Sequence, residues 1–124
     1  MEHVALYQQW QENQLDEVAA LTLLRWVEEW CARAPEHRLN DQGSLLTVDL
    51  YWPARSDKPL LQVDGFGRIW FYHDRLGSDG LLRALEGHFG DVFGELEPGP
   101  VSCLRPKFWQ GALPELSQLL KQHL

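Results

Sequence analysis

The sequence predicts an α+β domain: a three-stranded antiparallel meander, extended by one or two short strands, packed by about three helices. Three observations predict it. Between Leu45 and His73 apolar and polar residues alternate at period two in three short runs. On both sides of that stretch, apolar residues recur at helical spacing. The 124 residues contain no linker or low-complexity segment, which fits one domain, residues 1–124, around one core.

Residues Glu2 to Gln14 are polar but carry Val4, Tyr7 and Trp10 three apart, the pattern of a short amphipathic helix. The main helix follows. Leu15, Val18, Ala19, Thr22, Trp26 and Trp30 step at three or four, with Leu23, Val27 and Cys31 beside them. Asn13 or Asp16 is its expected cap, and Pro35 ends it, because the residue before a proline avoids helical geometry. Trp26 and Trp30 lie one turn apart and are expected to pack in the core. Glu36 to Ser44 reads as a polar loop.

In the first strand run, Leu46, Val48 and Leu50 alternate with Thr47, Asp49 and Tyr51 until Pro53 stops the ladder. The second, Leu60 to Val63, sets Leu61 and Val63 against Leu60 and Gln62. Asp64-Gly65-Phe66-Gly67 then makes a tight turn, with Asp-Gly expected to supply its positive φ. The third, Arg68 to His73, sets Ile69 and Phe71 against Arg68, Trp70 and Tyr72. The meander therefore has an aliphatic face (Leu46, Val48, Leu50, Leu61, Val63, Ile69, Phe71) and a mixed face (Thr47, Asp49, Tyr51, Gln62, Arg68, Trp70, Tyr72).

Ser78 or Asp79 is the expected cap of a second helix bearing Leu81, Leu82, Leu85 and Phe89. Asp91 to Leu104, broken by Glu97-Pro98-Gly99-Pro100, reads as two short edge strands around a turn or as an irregular loop. Pro114 opens a third helix with Leu116, Leu119, Leu120 and His123 as its stripe.

Composition narrows the function. The net charge of −7 and a pI near 5.1 argue against nucleic acid and anionic membranes, which need clustered Lys and Arg. Acidity either serves solubility alone or suits a basic protein partner by accelerating encounter. The N-terminal MEHVALYQQW has no signal-peptide pattern, and no apolar stretch matches a bilayer, so a cytoplasmic location is expected. Cys31 and Cys103 form no CxxC pair, and no Cys/His set has zinc-like sequence spacing. Both are expected as reduced thiols, a single disulfide between them being the alternative, with no metal and no cofactor.

No local pattern spells catalysis. His3, His37, His73, His88 and His123 form no HxH or HExxH pair, and Gly65-Phe66-Gly67 lacks a dinucleotide fingerprint. Ser44, Ser56, Ser78, Ser102 and Ser117 lack a nucleophile elbow. An enzyme would need a site assembled from distant residues, such as a deep pocket lined by His73 and carboxylates. The sharper feature is the mixed face. Asp49, Tyr51, Trp70 and Tyr72 share it, and aromatic residues with acidic neighbours are the material of a protein-binding hot spot. The competing reading is that a helix or a second protomer covers this face.

Leu24-Arg25-Trp26-Val27-Glu28-Glu29-Trp30-Cys31, then Glu36-His37, then Gly43 with Val48-Asp49-Leu50, resembles the front half of some bacterial polymorphic-toxin immunity proteins. Phe108 to Leu124 is similar to their closing glycine loop and leucine-rich helix. The resemblance covers about half the chain and implies tight binding of one toxin domain without catalysis. In element order the chain also resembles class I type III secretion chaperones, small acidic proteins, which would imply a homodimer bound to an effector. The expected function is thus immunity by protein–protein interaction, as monomer or homodimer. A secretion chaperone and a small enzyme with a non-local site are the alternatives.

Overall fold

Five strands form a single antiparallel sheet in which each pairs only with its neighbours in sequence, order β1-β2-β3-β4-β5. They are β1 Glu36–Gln42, β2 Leu45–Tyr51, β3 Leu61–Asp64, β4 Ile69–Tyr72 and β5 Val101–Leu104. Among the described residues six helices accompany them: α1 Val4–Glu12, α2 Glu17–Arg33, α3 His73–Leu76, α4 Leu81–His88, α5 Pro106–Trp109 and α6 Leu113–His123. This computed structural model describes residues 3–76, 80–90 and 101–124. The expected caps Ser78 and Asp79, and most of the Asp91 to Leu104 stretch, lie outside the described residues; its last four residues are β5.

The three alternating runs are β2, β3 and β4, with Val48 opposite Val63 and Val63 opposite Ile69. Val48, Leu50, Leu61, Val63, Ile69 and Phe71 are fully buried, while Leu46 is only partly so. Leu60, set above against Leu61 and Val63, is buried too: it precedes β3, and its N–H donates to the Leu50 carbonyl at 2.9 Å. The sheet is two strands wider than the three read from alternation. Glu36 to Gln42 is an edge strand and not a loop, pairing residue for residue with β2 from Glu36 opposite Tyr51 to Gln42 opposite Leu45. Its only aliphatic residue is Leu39, itself 38% exposed, so an edge strand with little apolar surface hides from a hydrophobic pattern. Gly43-Ser44 closes the hairpin, Gly43 taking φ +75° as the first residue of a two-residue loop.

Asp16 caps α2, its carboxylate accepting the Ala19 N–H at 3.2 Å, and the helix stops just before Pro35. Trp26 and Trp30 are core residues, and both indole N–H groups donate to the Ser117 hydroxyl of α6, at 2.8 and 3.1 Å. That single oxygen satisfies two buried donors and pins α6 across α2. The helix opened by Pro114 buries Leu113, Leu116, Ser117 and Leu120, while Leu119 is partly exposed.

The turn at residues 64–67 is the best-held point of the fold. Positive φ falls on Gly67 (+77°), not on Gly65 as Asp-Gly suggested. The Asp64 carboxylate does the shaping instead: it accepts the backbone N–H groups of Phe66 and Arg68, the Arg68 Nε–H and the Trp70 indole N–H. With four donors it can be 1% exposed without leaving its charge uncompensated. The turn's own carbonyls are clasped from both sides. Trp10 of α1 donates to Asp64, Asn13 to Gly65 and Trp109 of α5 to Gly67, at 2.8, 2.9 and 2.7 Å. Gly65 also makes room for Gln9, whose amide bridges the Ser44 carbonyl and the Leu46 N–H.

Candidate functional site

Cross-strand register fixes which side chains share the face turned away from the core. Asp49, Gln62, Trp70 and Cys103 form one row across β2 to β5, because directly paired residues point the same way. Thr47 with Asp64, and Tyr72 with Val101, form the flanking rows. Between them lies a shallow open depression of about 350 Å³, lined by Leu45, Thr47, Gln62, Asp64, Arg68, Trp70, Tyr72 and Val101. Every one of these residues belongs to the sheet or to the β3–β4 turn; no described helix roofs it.

The expected site residues divide in this geometry. Trp70 and Tyr72 line the depression and are partly exposed. Tyr51 is on the same face but beyond the depression, under the Arg38 guanidinium, which sits 5.2 Å from its ring centre. Asp49 is not the exposed acidic neighbour that alternation suggested. It is 3% exposed, and its two oxygens accept from the amides of Asn40 and Gln62. The Tyr72 hydroxyl donates to the other end of Gln62, so a chain of hydrogen bonds crosses four strands, Tyr72 to Gln62 to Asp49 to Asn40. Burial raises the Tyr72 pKa first, the Arg75 charge lowers it, and Asp49 raises it further.

What the face presents is aromatic and cationic more than acidic. Arg68 lies 5.3 Å from the Trp70 ring centre and 4.8 Å from that of Phe66, and Arg75 covers Tyr72 at 3.8 Å. Arg38 has its pKa raised, first by its hydrogen bond to Glu36 and next by that residue's charge. Arginine stacked on an aromatic ring holds both side chains in place.

Catalytic candidates fall elsewhere. His73 is not on a strand: the ladder ends at Tyr72, and His73 opens the single turn of α3. Its Nε2 lies 2.6 Å from the Ser102 hydroxyl. Ser102 is completely buried, while His73 is partly exposed. Among the described residues the depression is lined neither by His73 nor by a carboxylate without donors, Asp64 accepting four.

Among the described residues one cluster of His, Cys, Asp and Glu has metal-binding spacing: His3, Cys31 and His37, whose ligand atoms all lie within 4.8 Å of one another. They come from the start of α1, the last turns of α2 and the second residue of β1. No sequence motif announces them, because folding alone brings positions 3, 31 and 37 together. Cys103 lies on the opposite face of the sheet, and neither cysteine is in a disulfide.

No described helix is long and apolar enough to cross a membrane. Compared with protein-family models, curated proteins and solved structures, the chain matches none.

Proposed function

We propose that this chain neutralises a cognate toxin domain by binding it, without catalysis, through the open face of the sheet. The observation that carries the reading is a partly exposed Trp70 and Tyr72, stacked under Arg68 and Arg75, on a face that no described helix covers. Trp, Tyr and Arg are the residues that dominate binding energy at protein interfaces, and side chains already held in place lose little entropy on contact. The immunity reading itself rests on the resemblance of the α2, β1 and β2 segments to toxin-immunity proteins. The net charge of −7 supports a basic partner through long-range steering, while local contacts would engage arginines and rings. Asp49 is outside the contact set, being buried beneath Asn40 and Gln62.

Co-expression with the product of the neighbouring gene tests this. The chain is expected to abolish that protein's toxicity and to form a stable complex with it. In surface plasmon resonance, Trp70→Ala should speed dissociation by an amount equivalent to about 2 kcal/mol or more. Raising salt should mainly slow association. Undiminished affinity in well-folded Trp70→Ala and Tyr72→Ala would remove the interface from this face. A stable homodimer broken by the same substitutions would put a second copy there instead.

A further inference from the structure

We propose that His3, Cys31 and His37 bind one zinc ion, which ties the start of α1 to the junction between α2 and β1. The argument is independent of the open face, because the cluster lies on the helix side of the sheet: His37 pairs with fully buried Leu50 and shares its face.

The donor set has the right chemistry. Thiolate and imidazole together suit zinc and exclude the hard cations, which take oxygen ligands. The spacing also fits. Zinc bonds of about 2.3 Å to sulfur and 2.0–2.1 Å to nitrogen place tetrahedral ligand atoms about 3.3–3.6 Å apart. Atoms already within 4.8 Å of one another need contract by roughly 1 Å, within the reach of χ rotations. The His3 and His37 ring centres are 6.0 Å apart with planes tilted by 51°, so the rings converge without stacking.

Burial adds a second argument. His3 is 4% and Cys31 6% exposed, while His37 keeps partial access to solvent. Two imidazoles gathered around a thiol at the edge of an apolar core give an ion both its ligands and an entry path. No fourth His, Cys, Asp or Glu among the described residues joins the group. On binding, the Cys31 thiol gives up its proton to solvent, one Zn–S bond and two Zn–N bonds form, and no electron is transferred.

The test uses the full chain, stripped with chelator under reducing conditions and refilled with zinc or with cobalt(II) as a spectroscopic stand-in. One equivalent of zinc is expected. Its cobalt form should show a thiolate-to-metal charge-transfer band, which a merely hydrogen-bonded trio does not give. Zinc at one hundred times its Kd should raise Tm by roughly 10 °C and protect Cys31, not Cys103, from alkylation. Cys103→Ser should keep all of this; Cys31→Ser should lose the band, and His37→Ala at least tenfold in affinity. Should Cys31→Ser fail to fold, the partly exposed His37→Ala and the wild-type cobalt spectrum decide. Stripped wild-type protein that takes up no zinc, or undiminished zinc affinity in His37→Ala, overturns the proposal.

Discussion

The two faces of the sheet differ in what holds them. Toward the helices, Val48, Leu50, Val63, Ile69 and Phe71 are fully buried and are held by packing. On the other face Asn40, Asp49, Gln62 and Tyr72 are held by hydrogen bonds, each dependent on the next. An apolar layer tolerates exchange of similar volumes, because attraction is spread over many weak contacts. A polar network does not, because removing one member leaves donors or acceptors unpaired. The difference suits a division of labour in which one face provides stability and the other a rigid surface for contact.

Substitutions can break that contrast. The largest effect is expected from Val48→Asp, which puts an unpaired charge into the apolar layer. It should cost several kcal/mol against a total stability of about 5–15, and a thermal melt like the parent's would refute the assignment of faces. Asp64→Ala should come next, at roughly 2–4 kcal/mol, since the carboxylate serves four donors at the turn. Asp49→Ala strands the amides of Asn40 and Gln62 and should cost about 1–3 kcal/mol in urea titration. Because Asp49 is buried, its loss should leave the association rate of a partner unchanged; a slower association in a folded variant would restore it to the contact surface.

The smallest expected effect is on pH dependence. Tyr72 has a raised folded pKa, chiefly through burial. Below the unfolded tyrosine value of about 10 both states hold the proton and its contribution is fully present. As pH rises through the folded value the unfolded chain has already released its proton, so that contribution is lost. Tyr72→Phe should accordingly flatten the alkaline limb of a stability–pH curve above about pH 10, on top of a pH-independent loss from the Gln62 carbonyl it leaves unpaired. An unchanged limb would mean that ionisation of this phenol is not resisted.

How much of this could be read beforehand follows from what each element depends on. β2, β3 and β4 were visible because one face of each is buried, and burial writes itself as alternation. β1 was not, because no residue from Glu36 to Asp41 is fully buried; the one local hint was the Gly43-Ser44 pair. That omission carried into the site. Without β1 there is no Asn40 beside Asp49, and a buried, partnered carboxylate reads as a surface charge. The single turns α3 and α5 escaped for a different reason. Four residues are too few for a period, and α5 is anchored by the contact of Trp109 with Gly67. The His3, Cys31 and His37 cluster joins three elements and has no local pattern at all.

The clasp on the turn has a consequence for rates. Every strand pairs with the one before or after it, so the sheet can close hairpin by hairpin with modest loop entropy. The indole bonds of Trp10 and Trp109 to the turn span 54 and 42 residues, and they form only once the helices have docked. Contacts made after the transition state act on escape from the native state and barely on arrival. Trp109→Phe should therefore raise the unfolding arm of a chevron plot and leave the folding arm nearly in place. Those two indoles would then set how long a folded molecule persists, while the alternating strands set how quickly it forms.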